Sequence, residues 1–165
     1  MKIVYTCFCT DVIHEGHMNI IHEAKKYGRV VVGVLSDEAS IRFNRFPGVS
    51  FTERINMVKS IPGVDEVIIQ NKVMYDEIIE KIHPDYVIHG DNWLEPPMLA
   101  IRDNVSTLLK EYGGKIIDVP YTYSEEIKHI DAQVKERLAM PEYRRKRLRQ
   151  LLQLRPLVKA IEVHS

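Results

Sequence analysis

The residues best equipped for chemistry cluster near the start of the chain, in the run Cys7-Phe8-Cys9-Thr10-Asp11-Val12-Ile13-His14-Glu15-Gly16-His17. A β-branched run ends near Tyr5 and a helical pattern begins at about His17, so the segment stands at a strand-to-helix junction. A helix N-terminus offers free backbone N–H groups and a partial positive charge to a phosphate. His14 and His17 add imidazole donors, and Gly16 between them allows close approach to the backbone. Three chemistries are compatible with these residue types. One is a nucleotide phosphate clamp. The second is a zinc site of Cys7, Cys9, His14 and His17, although the C-x-C and H-x-x-H spacings differ from finger patterns and the histidines are not at i and i+4. The third uses the histidines as caps and core residues.

The elements that must position this segment follow from hydrophobic patterning. Val/Ile-rich runs of strand length occur at Lys2–Tyr5, Arg29–Leu35, Glu66–Ile69, Asp85–Ile88 and Lys115–Val119. Helical patterns lie between them, at about His17–Tyr27, Thr52–Ser60 with Thr52 as cap, Tyr75–Ile82 and Pro97–Tyr112. Alternating strands and helices predict an α/β fold of Rossmann-like type, an open five-stranded parallel sheet with helices on both faces. In such a sheet ligands bind beyond the carboxyl ends of the strands, where strand order reverses. Residues 7–17, 36–46, 70–75, 89–93 and 120–124 are therefore the places to look for chemistry.

The chain has 165 residues with 23 basic and 23 acidic side chains, and 45% of residues are hydrophobic. That content excludes intrinsic disorder, and the short apolar runs exclude a transmembrane helix. No signal peptide is visible, and the two cysteines, Cys7 and Cys9, are too closely spaced for an ordinary structural disulfide. A cytoplasmic protein with no membrane and no nucleic-acid partner is expected. The zero net charge hides an asymmetry. Residues 1–134 carry 14 basic and 20 acidic groups, whereas residues 135–159 carry 9 basic and 2 acidic ones. The shift predicts a body over 1–134 and a C-terminal helical basic tail over 135–165. Leu148, Leu151, Leu152 and Leu154 would form its apolar stripe.

The run around His14-Glu15-Gly16-His17 resembles the H-x-G-H signature of the cytidylyltransferase branch of nucleotidyltransferases, as in glycerol-3-phosphate, phosphocholine and phosphoethanolamine cytidylyltransferases. Further matches follow in order: Gly33-Val34-Leu35-Ser36-Asp37-Glu38, Glu53-Arg54, Val64-Asp65-Glu66-Val67 and Gly90-Asp91-Asn92-Trp93. The resemblance covers about residues 2–120. The chain differs where the family has a lysine pair after the second strand, here Arg42-Phe43-Asn44-Arg45, with Phe43 at the acceptor-substrate lysine. It differs again where the family ends in R-T-x-G-I-S-T-T, here Tyr121-Thr122-Tyr123-Ser124.

The resemblance implies attack by a phosphate or phosphonate oxyanion on the α-phosphorus of CTP, with pyrophosphate leaving. His14, His17, Arg45 and Arg54 would be the catalytic residues. The first two hold phosphate and growing charge, Arg45 faces the α-phosphorus and pyrophosphate, and Arg54 adds a phosphate or substrate contact. Cys9, Thr10, Asp11, Gly16, Gly90, Asp91, Asn92, Trp93, Thr122 and Ser124 would bind nucleotide. Asn92 would take the cytosine amino group, Asp91 the ribose or its own loop, and Trp93 either the base or the core. His89, at a strand end, is a candidate wall residue. Mg²⁺ is expected with CTP, without a protein metal site. A CTP-binding module without catalysis is the alternative to an enzyme.

The tail carries a second resemblance. Arg147-Leu148-Arg149-Gln150-Leu151-Leu152, followed by Ala160-Ile161-Glu162-Val163-His164-Ser165, is similar to the opening of phosphoenolpyruvate mutases. This resemblance implies fusion to a mutase domain in phosphonate, fosfomycin-type biosynthesis. The acceptor would then be 2-hydroxyethylphosphonate, with glycerol 3-phosphate or another phosphoalcohol as the alternative. A homodimer is expected, as is a tail lying apart from the CTP site.

Overall fold

The computed structural model describes residues 1–154 apart from Thr10, Asn44 and Tyr123. The expected nucleotide contact of Thr10 and the mutase-like segment 160–165 lie outside the described residues. Five strands, β1 (Ile3–Phe8), β2 (Arg29–Leu35), β3 (Glu66–Gln70), β4 (Tyr86–Gly90) and β5 (Lys115–Val119), form one sheet in the order β3-β2-β1-β4-β5. Every pairing is parallel. The chain builds outward from β1 to β3, then returns across β1 to place β4 on its other side. The reversal lies between β1 and β4.

Strand periodicity splits the core between the two faces. Val4, Val30, Val32 and Val34 join Ile21 and Ala24 of α1 (Glu15–Lys25) and Val58 of α3 (Phe51–Lys59) on one face. Tyr5, Val31 and Val87 point the other way, to Ile78 and Ile79 of α4 (Asp76–Ile82) and Ile101, Val105 and Leu109 of α5 (Leu99–Lys110). Successive strand side chains alternate faces, so a Val-rich strand feeds both layers. Gly33 is required by this packing. A Cβ there would lie 1.8 Å from the Tyr5 hydroxyl, which donates to buried Gln70 at 2.6 Å.

Several boundaries differ from expectation. β1 continues to Phe8, and α1 starts at Glu15 because His14 is its N-cap. Ser50, not Thr52, caps α3, through a reciprocal box in which Glu53 accepts from the Ser50 backbone. A short helix, α2 (Asp37–Arg42), follows β2 with Ser36 as its cap; its six residues are too few for a periodic signal. A 3₁₀ turn occupies Asp91–Leu94.

The charge change near residue 135 falls inside α6 (Glu125–Ala139). Met140 then leaves the helical conformation, and α7 (Pro141–Leu154) turns back against α2. The leucine stripe is not buried as a unit. Leu148 and Leu152 are 49% and 53% exposed, while Arg147 is turned inward over the Phe46 ring at 5.1 Å.

Candidate active site

A cleft of about 340 Å³ opens at the carboxyl ends of the strands, over the β1–β4 reversal. Its walls include Cys9, His14, Gly16 and His17 from the β1–α1 junction, Phe43 and Arg45 after β2, Gln70 at the end of β3 and Tyr75 at the N-cap of α4. His89, Gly90 and Asn92 come from the end of β4, and Pro120, Tyr121 and Thr122 from the end of β5. Asp131 reaches it from α6.

The two histidines are held by backbone bonds that also set their tautomers. The His14 Nδ1 accepts from the Gly16 N–H at 3.0 Å, and the His17 Nδ1 accepts from the His14 N–H at 3.2 Å. Each Nδ1 lone pair is thus occupied, and a neutral ring must carry its proton on Nε2. Burial keeps the rings neutral. It pushes His17 down from 6.5 to about 3, with the His14 ring adding to the effect. His14 is also lowered by burial, against the opposing pull of Asp131. The rings lie 4.1 Å apart, and His17 meets the edge of Phe8 at 4.8 Å. A Cβ on Gly16 would come within 2.8 Å of His14 Cε1, so any larger residue would push that ring out of place. The result is a pair of Nε2–H donors beside the N-terminus of α1, suited to the charged oxygens of a phosphate chain.

The opposite wall rests on a buried indole tied to a more exposed ion pair. Trp93 is fully buried and stacks under His89, with ring centroids 4.3 Å apart. Its indole Nε1 donates to Asp118 at 2.7 Å, and Asp118 also accepts from Arg102. Arg102 and the indole together hold the Asp118 carboxyl below its ordinary range. Trp93 is thus a core residue beneath the site, and the ring reaching the cleft is His89. Asp91 holds its own loop, accepting from the Tyr121 N–H at 3.0 Å and tying the end of β4 to the end of β5. Asn92 is exposed on the cleft wall. Thr122 also faces the cleft and accepts from Asn19 at 2.9 Å, whereas Ser124 caps α6 through the Ile127 N–H.

Other expected site residues gather in a second chamber of about 350 Å³, behind the first and beneath α6 and α7. Cys9, His14, Arg45 and Asp131 line both. Arg54 lines only the second. It is 1% exposed, donates to the Leu35 carbonyl at 2.8 Å and pairs with Asp37. Asp11 lines it too, accepting from the Gly48 and Val49 N–H groups at 2.6 and 3.3 Å. Sequence reasoning missed Asp131 and Arg147 here. Asp131 sits in no motif and Arg147 belongs to the mutase-like run of the tail, and only the packing of α6 and α7 brings them to the site.

A parallel sheet with a phosphate-suited cleft at its reversal defines an open α/β protein of the kind that takes its ligand at that point. Residues 4–160 match the family described as Cytidylyltransferase-like, and the chain belongs to that family. It is 35% identical over 116 residues to an ethanolamine-phosphate cytidylyltransferase of Arabidopsis thaliana, a match covering 67% of this chain and 27% of that protein. It is 30% identical over 122 residues to the Bifunctional protein HldE of Desulfatibacillum aliphaticivorans, covering 72% and 24%. The chain thus spans about a quarter of the length of these curated relatives. The fold is also that of a lipopolysaccharide core biosynthesis protein from Thermoplasma volcanium GSS1, with TM-score 0.60 and 20% identity over 76% of this chain and 99% of the other. Among the described residues, no helix is long and apolar enough to cross a membrane.

Proposed function

We propose that the protein transfers CMP from CTP to a small acceptor bearing a phosphonate or phosphate oxyanion, with release of pyrophosphate. The observation that carries this reading is the pair of neutral Nε2–H donors beside the N-terminus of α1, at the sheet's reversal. An acceptor oxygen forms a bond to the α-phosphorus while the bond to the bridging β-phosphate oxygen breaks, and pyrophosphate leaves with that electron pair. The attacking oxygen is already ionised near neutral pH, so no strong base is required. Positioning and charge stabilisation are sufficient. His14 and His17 donate to the bridging and non-bridging oxygens, and Arg45 faces the α-phosphorus from the opposite loop.

Mg²⁺ accompanies CTP in this reading as the triphosphate's counter-ion. Among the described residues no group of three or more His, Cys, Asp or Glu side chains is placed to hold a metal. Asp131 is the one carboxylate among the described residues lining the cleft, and it would be the group to meet the ion. The bound ion would neutralise triphosphate charge.

For the acceptor, the mutase-like sequence of the tail favours a phosphonate, with 2-hydroxyethylphosphonate first. It also favours reading the chain as one portion of a bifunctional protein. The ethanolamine-phosphate cytidylyltransferase relative favours a phosphoalcohol. Pyrophosphate release decides between them, measured with CTP or ATP against 2-hydroxyethylphosphonate, 2-aminoethylphosphonate, ethanolamine phosphate and glycerol 3-phosphate. Fastest turnover of CTP with a phosphonate is expected. Faster turnover of a phosphoalcohol removes the phosphonate assignment, a preference for ATP removes the cytidylyl one, and CTP binding without pyrophosphate release leaves a binding module.

A further inference from the structure

We propose that the second chamber binds the tetrahedral oxyanion of the acceptor, and that Arg147 of the C-terminal helix is one of the groups that hold it. This rests on the transferase reading for the acceptor's identity, but the chamber itself is argued from its own charges. Three guanidinium groups, Arg45, Arg54 and Arg147, line one space of about 350 Å³. Two of them carry an Nε that is buried and has no hydrogen-bond partner. A buried N–H left unpaired costs about 1–3 kcal/mol, and more on a charged group. Arg45 and Arg147 make no ion pair with a described carboxylate, so two of the three guanidinium charges bordering the chamber are left for an anion with oxygen acceptors.

The anionic side of the chamber is largely committed elsewhere. Arg54 holds Asp37 and the Leu35 carbonyl through its terminal nitrogens, leaving Nε over. Asp11 accepts two backbone N–H groups of the loop at Gly48 and Val49. Arg147 makes no ion pair with a described carboxylate and lies against the face of Phe46. Asp131 remains, on the wall shared with the nucleotide cleft. Its charge repels an anion placed against it and so biases the oxyanion toward the arginines.

Guanidinium forks match phosphonate and phosphate oxygens two at a time, which a lysine point charge does not. The shared wall of His14 and Arg45 also sets the direction of transfer. An oxyanion held on the Arg147 side can present a remaining oxygen through that wall to an α-phosphorus beside His14. The C-terminal helix thus contributes a ligand to the acceptor side, while the nucleotide side is completed by the body of the fold.

The test uses the full chain with methylphosphonate and inorganic phosphate as probes, titrated calorimetrically beside the α,β-methylene analogue of CTP. Arg147→Met keeps the aliphatic stem and removes the guanidinium that lies over Phe46, whereas Arg147→Lys restores the charge without the fork. Methylphosphonate should bind the parent chain, weaken about tenfold in Arg147→Met and recover in part in Arg147→Lys, with analogue affinity unchanged throughout. In turnover the acceptor KM should rise by a similar factor while the CTP KM holds. Probe binding equal in Arg147→Met and the parent overturns the proposal. So does an equal loss of probe and analogue, which would put Arg147 in the nucleotide site. Arg147-dependent binding of either probe in a chain that releases no pyrophosphate keeps the chamber and removes the transferase reading. Turnover with an acceptor KM indifferent to Arg147 does the reverse.

Discussion

The histidine clamp spans His14 to His17 within one segment, whereas the arginine chamber draws Arg45 from the loop after β2, Arg54 from α3 and Arg147 from α7. The clamp's geometry is set by bonds between near neighbours, each imidazole fixed by a backbone N–H two or three residues away. The chamber exists only when three distant elements are docked. Local construction makes the first site rigid and readable. Assembly makes the second sensitive to the packing of helices that carry little core of their own, since Ile127 is the one buried hydrophobic residue described in α6 and α7.

The largest effect that separates these regions should come from the clamp. His14→Ala or His17→Ala is expected to lower turnover roughly a hundredfold, ~3 kcal/mol, because in the proposed transfer the Nε2–H donors meet charge that grows in the transition state. CTP affinity should fall less than turnover, which equilibrium binding beside initial rates will read. Proportional losses in both would mean uniform binding instead. Gly33→Ala probes the packing beneath both regions. The new Cβ would collide with the Tyr5 hydroxyl, so a loss of about 1–3 kcal/mol is expected in urea unfolding. Unchanged stability would show that the Tyr5–Gln70 buttress can yield.

Ending the chain at Met140 distinguishes the regions directly. It removes Arg147 and should raise the acceptor KM about tenfold, ~1.4 kcal/mol, while CTP-analogue affinity stays near that of the parent. A truncated but folded chain that loses CTP binding would join the two regions into one site. The pH dependence of stability sharpens the description of the clamp. His17 titrates at about 3 in the folded chain against 6.5 for an ordinary histidine, so the unfolded chain binds more protons between those values. Stability is full above about pH 6.5 and is lost as pH falls toward 3, with positive slope against pH. The His17→Ala chain should have a shallower slope over that window, and an equal slope would remove burial as the cause. The smallest expected effect is Ser50→Ala. It removes one half of the capping box of α3 and should cost about 1 kcal/mol.

Much of this was legible in the residues. The five Val/Ile runs became the five strands within a few residues, because strand-length apolar runs in a doubly covered sheet need no partner to be recognised. The His14-Glu15-Gly16-His17 run pointed to its own junction for the same local reason. The roles around it were less legible. Nothing in Gly90-Asp91-Asn92-Trp93 distinguishes a tryptophan over a base from one under a histidine, since the difference is the partner, Asp118, 25 residues away. Asp91 likewise finds its use in a Tyr121 amide 30 residues on.

The alternation of strands and helices, the pairing of two histidines at a strand-to-helix junction and the basic character of the C-terminal segment were determined by sequence alone, because each depends on near-neighbour spacing or on composition. The direction in which α7 faces was decided only by tertiary structure. By pattern its leucines should be buried and its arginines solvated, yet Arg147 is turned onto Phe46 while Leu148 and Leu152 stay exposed. A helix with no core of its own takes its orientation from the surface that receives it. Here that surface combines an aromatic face, a chamber already holding Arg45 and Arg54, and the Asp131 carboxylate of α6. No local rule encodes that combination, because its parts are separated by about 100 residues of chain.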